Sequence, residues 1–446
     1  MTEKTVFEKF SEWVAGSVTL KLFGIGFILL LLLIPLEMVR DVIRERGYYQ
    51  DEVKHEIMSE WSGEQIIEGP VLTVPYERLT LITTTEGKTV ETREEGFVHF
   101  LPETLNYQGQ LNMEKRERGI YEVNVYSADL TISGSFNRPQ HSIFTEENIT
   151  VHWNRCQIAI AIPDQRGVQE ELSMKWNDSL YTFTSGTTYN TILNSGVSTI
   201  IDLSDPTSQA STFNLKANLR GSGRIGFTPL GKTTTAHLSS TWKDPKYFGN
   251  FLPDQRNDPN ESGFDAQWKV LHLNRSIPQT FTADVFNTRD YTFGVELFEE
   301  VGEYRKTERS AKYAVLFIAL TFVTFFFIQL IKKVRVHVLQ FIIVGLALCL
   351  FYVLLLSLSE YVGFNYAYLI ASAAIILQIS WYVKHIFRDM KLTTIVFFVL
   401  AALYFFIFTL VQLANYSLLM GSIGLFIVMG ILMYLSRNMD WASRKE

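Results

Sequence analysis

Five apolar runs follow one another between residues 313 and 435, and the gaps between them carry positive charge on alternate sides only. The runs are 313–331, 338–358, 363–383, 393–412 and 416–435. Each is close to the roughly 20 residues that a helix needs to cross a bilayer core. A sixth run stands alone at 20–38. Lys332-Lys333-Val334-Arg335 and the stretch from Lys384 through Arg388 to Lys391 are basic, as is the tail with Arg437, Arg444 and Lys445. The gaps around Ser359-Glu360 and Ala414-Asn415 hold no Lys or Arg. Cytoplasmic loops carry the excess of positive charge, so the basic gaps and the C-terminus are expected inside. Six crossings then put the N-terminus inside too, and 39–312 outside.

Arg40, Arg44 and Arg46 lie just outside the first run and match Lys4, Lys9 and Lys21 within, so that run alone does not fix an orientation. Long translocated segments largely escape the charge rule, and the later runs decide. No small-x-small cleavage site follows Leu36-Glu37-Met38-Val39-Arg40, so the first run reads as a signal anchor.

The expected organisation is a cytoplasmic N-terminus over 1–19, a transmembrane helix over 20–38 and a helical stalk over 39–65. A β-rich extracytoplasmic domain over 66–312, a five-helix bundle over 313–435 and a cytoplasmic tail over 436–446 follow. In the stalk, Val42, Ile43, Val53, Ile57 and Trp61 recur on one face, with an interruption at Gly47. After Gly69-Pro70 the texture changes to Val, Ile, Thr, Tyr and Phe cut by Gly, Asn, Pro and Asp. The segments 120–126, 157–162 and 212–219 alternate and read as strands with one buried face. The fold class expected is an α-helical membrane protein of six spans, one N-terminal and five C-terminal. It carries a large inserted all-β domain, an antiparallel sandwich. The stretch 254–262, rich in charge, Pro and Asn, reads as an exposed loop.

Charge and cysteine usage exclude some functions. Residues 39–312 hold 28 Lys and Arg against 38 Asp and Glu, a balance of −10. Such a domain is a poor partner for nucleic acid or for anionic polymers. The two cysteines, Cys156 and Cys349, fall in different parts of the chain, so no disulfide framework is expected.

Two stretches imitate nucleotide sites. Gly221-Ser222-Gly223-Arg224-Ile225-Gly226 matches the dinucleotide fingerprint, and Gly226-Phe227-Thr228-Pro229-Leu230-Gly231-Lys232-Thr233 matches the P-loop. Both motifs work by offering a helix N-terminus to phosphate. Here Thr233-Thr234-Thr235-Ala236-His237-Leu238 is β-branched and alternating, a strand pattern, and the segment is expected outside the cytoplasm. No nucleotide and no other cofactor is expected. The eight histidines form no His-Glu-x-x-His or close Cys/His cluster, and no Gly-x-Ser-x-Gly elbow occurs, so no metal or catalytic residue is assigned.

The last five runs contain no Asp, Glu, Lys or Arg. Ion-coupled transport and intramembrane proteolysis rely on such groups. Gln329, Gln340, Gln378, Gln412, Ser357 and Ser380 are expected to hydrogen-bond between helices, and Ala367/Ala371 and Ser417/Gly421 to allow close helix approach.

Longer motifs carry a resemblance. His337-Val338-Leu339-Gln340-Phe341, the run from Phe351 to Glu360, Leu418-Leu419-Met420-Gly421-Ser422 and Met433-Tyr434-Leu435-Ser436-Arg437 resemble the CreD family of bacterial inner-membrane proteins. So do Gly69-Pro70-Val71-Leu72, Ser240-Thr241-Trp242-Lys243-Asp244-Pro245, Phe248-Gly249-Asn250-Phe251-Leu252-Pro253 and Arg309-Ser310-Ala311-Lys312-Tyr313. The likeness spans about residues 39–441. The chain departs from the family pattern at Gln329, Val338 and Ala414-Asn415. The resemblance implies an inner-membrane location and a role in cell-envelope integrity, with no catalytic or ligand residues to carry over. The expected function is therefore a non-enzymatic inner-membrane protein that supports envelope integrity. Its outer β-domain would sense or bind an envelope component or envelope protein, and its partner within the spans is the lipid bilayer. The alternatives are a transporter or lipid-handling protein of the envelope and an extracytoplasmic glycan or lipid hydrolase. A polar cavity through the bundle would favour the former. Paired carboxylates, or a carboxylate and a histidine, in a concave site would favour the latter.

Overall fold

A computed structural model describes residues 18–83, 89–139, 144, 148–189, 193, 195–204, 210–257, 263–282, 288–297, 302–332, 336–413 and 416–437. The expected cytoplasmic ends, most of the basic gap after Lys332 and the Ala414-Asn415 gap lie outside these residues. The chain divides into two compact units. One is helical and comprises Met1–Asp51 with Val301–Glu446, and the other is Glu52–Glu300.

The first helix, α1, runs from Val18 to Trp61 without a break at Gly47 and with Pro35 inside it. The expected span and stalk are thus one helix. Ile43, Val53 and Ile57 are buried along it, whereas Val42 is exposed. The other helices are α2 (Glu303–Lys312), α3 (Ala314–Lys332), α4 (Val338–Phe387), α5 (Met390–Gln412) and α6 (Ser417–Arg437). Helix α2 was expected to be part of the β-domain, but it belongs to the helical unit.

Among the described residues four helices are long and apolar enough to cross a membrane, or five if α2 and α3, bent by 43°, make one span. The expected count of six is not reached by this measure, because 338–358 and 363–383 run together as α4. Gly363 interrupts α4 with φ +74° and ψ 161°, a conformation open to glycine and costly for other residues. The element folds back there. The rings of Phe351 and Tyr368 lie 5.3 Å apart, whereas 17 residues of straight helix would separate them by about 25 Å.

The bundle centre is aromatic. Phe351 packs on Tyr404 at 4.7 Å and Tyr404 on Phe317 at 4.4 Å. Ala367 and Ala371 are fully buried, as the small-residue pattern predicts. Gly421 has open space where a side chain would stand, so the expected Ser417/Gly421 contact is corrected. Close approach instead occurs at Gly345, against Leu32, and at Gly424, against Phe406.

The second unit contains a ten-stranded and an eight-stranded sheet. The first has the order Lys246–Gly249, Phe293–Glu296, Arg224–Phe227, Gln65–Thr83, Cys156–Ala161, Val197–Ile201, Thr184–Ser185, with three further strands branching off. The second has the order Gln255–Arg256, Phe264–Leu271, Thr233–Ser240, Thr104–Arg118, Tyr121–Asn137, Ala210–Ser222, Ser173–Trp176, Ser179–Thr182. The expectation of purely antiparallel pairing is corrected, since Gln65–Thr83 runs parallel to Arg224–Phe227 and Thr104–Arg118 parallel to Thr233–Ser240. The loop expected at 254–262 also yields a short edge strand, Gln255–Arg256.

Strand Ala210–Ser222 alternates exposed and buried residues, as its sequence predicts, whereas Cys156–Ala161 is buried throughout. The latter pairs with a neighbour on each edge and is covered on both faces, which matches a largely apolar run that need not alternate in exposure. One apolar core draws on both sheets. Tyr107 stacks on Phe227 at 4.3 Å, Trp268 meets Phe293 at 5.6 Å, and the Tyr107 hydroxyl donates to the Gly69 oxygen at 2.7 Å.

Candidate functional site

The nucleotide-like stretch has a different use. Residues 224–227 and 233–240 are strands, and a tight loop joins them. Its amides are already committed: Thr228 N–H donates to the Ile67 oxygen, Lys232 N–H to Pro102 and Thr233 N–H to Glu103. Gly231 N–H donates to Thr234 Oγ1 at 3.0 Å. The Lys232 ammonium sits 2.6 Å from a Glu103 carboxylate oxygen. A phosphate cradle needs several amides converging on open space, and this loop spends them on its own fold. The glycines have local reasons. Gly223, with φ +70°, turns the chain from a strand of the eight-stranded sheet into one of the ten-stranded sheet, and a Cβ on Gly226 would stand 2.7 Å from the Phe248 ring.

The β unit contains a cavity of about 180 Å³. Four aromatic residues line it: Phe136, Trp153, Trp176 and Tyr181. Phe136 and Trp176 pack together at 5.7 Å and are almost fully buried, so this wall is rigid. The polar lining comes from Asn137, Arg138, Asn177, Ser179, Asp202 and Ser211. Asn177 adopts φ +50°, and its side-chain oxygen accepts from Thr212 N–H at 2.8 Å, which fixes the amide at the rim. Asn137 donates to Glu103 at 2.9 Å. Asp202 accepts from Ser204 N–H at 2.8 Å, and hydrogen bonds from Ser204 hold its carboxyl below the usual range. These residues come from five separated segments, and sequence reading singled out none of them.

Among the described residues no group of three or more His, Cys, Asp or Glu is placed to hold a metal ion. His237 Nε2 and Asp265 form a pair at 2.7 Å on the face of the eight-stranded sheet, away from the cavity lining. His99 is buried and meets Thr73 Oγ1 at 2.9 Å, and its pKa is lowered to about 4 by burial. Both histidines have structural surroundings.

In the helical unit the polar contacts between elements come largely from residues the sequence pattern did not mark. The Tyr304 hydroxyl donates to Glu360 at 2.7 Å, and Tyr368 donates to the Tyr404 oxygen at 2.8 Å. Glu303 accepts from Phe364 N–H, next to the break at Gly363. Of the expected polar residues, Gln412 donates to Asn365, which joins α5 to α4. Gln340 instead accepts from His337 N–H within its own helix start, and Gln378 is exposed.

A family model described as "Inner membrane protein CreD" matches residues 17–442. The chain is also 33% identical over 415 residues to the inner membrane protein CreD of Escherichia coli (strain K12), covering 92% of this chain and 91% of that protein. Likeness at this level over both units, together with the apolar helices, supports a membrane protein of the cell envelope. The chain belongs to the CreD family of inner membrane proteins.

Proposed function

We propose that this protein displays its β unit outside the cytoplasm, on a helical unit that crosses the membrane six times, and that the β unit binds an envelope component without transforming it. The observation that carries the binding reading is the cavity, with its aromatic wall and a few fixed polar groups, the usual composition of a ligand site. Among the described residues its lining holds one carboxylate, Asp202, and no histidine. Glycoside hydrolysis uses two carboxylates, so this lining favours binding over hydrolysis.

The six-span reading draws support from the fold-back of α4 at Gly363 and from counting α2 with α3 as one bent span. Both termini then lie inside, with the basic gaps. The arginines that obscure the orientation of the first span are locally balanced, since Arg40 pairs with Glu37, and Arg44 with Glu37 and Asp41. The two sheets that share one core are read as a sandwich. The packed aromatic centre of the bundle favours an anchor over a conduit.

The test is photo-crosslinking in growing cells from a reactive residue placed at Asn177, with the exposed position Leu252 as control. The reading expects an envelope component captured from 177 and not from 252. Equal capture from both, or none from either, contradicts it.

A further inference from the structure

The cavity is small, and one of its lining residues, Asn177, is bonded to a strand of an unusual sheet face. Pockets for drug-sized ligands run to about 300–1,000 Å³, so about 180 Å³ has room for one ring-sized group of a larger molecule. Its wall, Trp153 and Tyr181 backed by the almost fully buried Phe136 and Trp176, offers flat apolar surface to a ring. Its rim offers amides at Asn137 and Asn177, a carboxylate at Asp202 and a guanidinium at Arg138. Those groups include both donors and acceptors. A group with an apolar face and hydroxyls around its edge uses all of them.

The second observation is the outward face of the eight-stranded sheet. Asn177 belongs to both places, because it lines the cavity and accepts from Thr212, which begins the outward row of its strand. Across the central strands this face carries amides and hydroxyls in register. Asn106 stands opposite Ser133, and Ser133 opposite Asn214. Gln108 stands opposite Thr131. On the strand Thr104–Arg118 the outward residues from 104 to 112 are Thr104, Asn106, Gln108, Gln110 and Asn112, with no charge among them. The parallel neighbour adds Thr233, Thr235 and Ser239, with His237, paired with Asp265, between them. The same face carries two charges among these rows, Asp129, which accepts from Asn112 and Asn218, and Lys216, opposite Thr131. In a unit dense in Asp, Glu, Lys and Arg, a face on which neutral hydrogen-bonding side chains so far outnumber charged ones stands apart. They have little to offer a charged polymer, and the net negative charge of the unit repels an anionic one.

We propose that the β unit binds a neutral glycan, with one sugar ring in the cavity and the adjoining sugars along the hydroxyl- and amide-bearing sheet face. This deepens the binding role proposed above and rests on it. The cavity supplies stacking and orientation for one ring. The face supplies repeated hydrogen bonds at the regular spacing of strands and of alternate residues, which suits a chain of repeating hydroxylated units.

The test uses the full chain in detergent or nanodiscs, read by its tryptophan emission. The probes are neutral tetramers of N-acetylglucosamine and of glucose, their monomers, and anionic polygalacturonate. The expected result is saturable binding of a neutral tetramer and none of the polyanion. Asp202→Ala should weaken tetramer and monomer alike, by about tenfold for a lost hydrogen bond to a charged group. Gln108→Glu with Asn214→Asp should weaken the tetramer and leave the monomer unchanged. Both variants alter exposed residues, and unchanged thermal unfolding shows that they fold. Tetramer binding indifferent to both variants overturns the assignment of this site. If no neutral tetramer binds at millimolar concentration while crosslinking from residue 177 still captures a lipid or a protein, the glycan is wrong and the binding role stands. If neither occurs, both are wrong.

Discussion

The guanidinium of Arg40 donates to the main-chain oxygen of Ala311 through both Nε, at 3.3 Å, and Nη2, at 3.0 Å. Ala311 lies at the end of α2, where the chain bends by 43° into α3. Carbonyls near a helix end lack their usual intrahelical donors. Arg40, from the first helix, satisfies this one while it pairs with Glu37. Arg40→Ala should destabilise the helical unit by about 1–3 kcal/mol, the worth of hydrogen bonds from a charged donor to a part-buried acceptor. Arg40→Lys keeps the charge but cannot present the forked donor, so it should recover only part of the loss. Thermal unfolding of the three proteins in detergent checks the order.

Gly363 makes the second device of this unit. Its φ of +74° and ψ of 161° lie in a region that a Cβ disfavours, although space around the atom is open. Gly363→Ala should therefore cost about 1–3 kcal/mol from backbone strain and nothing from crowding. Gly421→Ala, at another uncrowded glycine but within regular helix, should be neutral or slightly stabilising. Comparison of their unfolding temperatures separates the two effects.

These two positions show what was legible in the sequence. The apolar runs and their basic gaps displayed the helices, because bilayer thickness imposes a length and the charge rule a side. The turn at Gly363 fell between two recognised runs, but nothing marked it as the point where one continuous element folds back. Parts of the strands 121–137 and 210–222 were visible, at 120–126 and 212–219, because a half-buried sheet imposes a period of two. The parallel pairing was not, since it joins residues as distant as Gln65 and Ile225, and local pattern carries no such information. The cavity was hidden for the same reason. Trp153, Trp176 and Asp202 gain their meaning only from adjacency in space. Tyrosine was the missed signal in the bundle. It was grouped with apolar residues, yet Tyr304 and Tyr368 supply hydrogen bonds between elements.

The buried imidazole of His99 links stability to pH. Burial lowers its pKa from 6.5 to about 4. The unfolded chain therefore takes up a proton first as pH falls, and the folded form is progressively disfavoured between about 6.5 and 4. At most about 1.4 kcal/mol is lost per pH unit across that window. Stability is complete above pH 6.5 with respect to this group. His99→Gln should be less stable at pH 8 but should show a shallower fall between pH 6.5 and 4. Chemical denaturation of both proteins at several pH values measures the two slopes.

Lys232 distinguishes a P-loop from its likeness. In a phosphate-binding loop Lys232→Ala would abolish nucleotide binding. Here the side chain is half exposed and paired with Glu103, so the substitution should cost under about 1 kcal/mol. It should also leave ATP titrations as flat as those of the unaltered protein. A saturable ATP signal that Lys232→Ala removes would contradict this.

The location of the β unit is the premise on which the proposed function rests, and cysteine labelling in intact cells tests it most directly. The natural thiols give a quiet background, since Cys156 and Cys349 are both buried and burial pushes the Cys156 pKa up to about 12. Single added cysteines at Asn214, on the exposed sheet face, and at His385, near the end of α4, report the two sides. The account predicts that a membrane-impermeant maleimide labels Asn214→Cys in intact cells and His385→Cys only after permeabilisation. Protection of Asn214→Cys in intact cells, with ready labelling of His385→Cys, would contradict it.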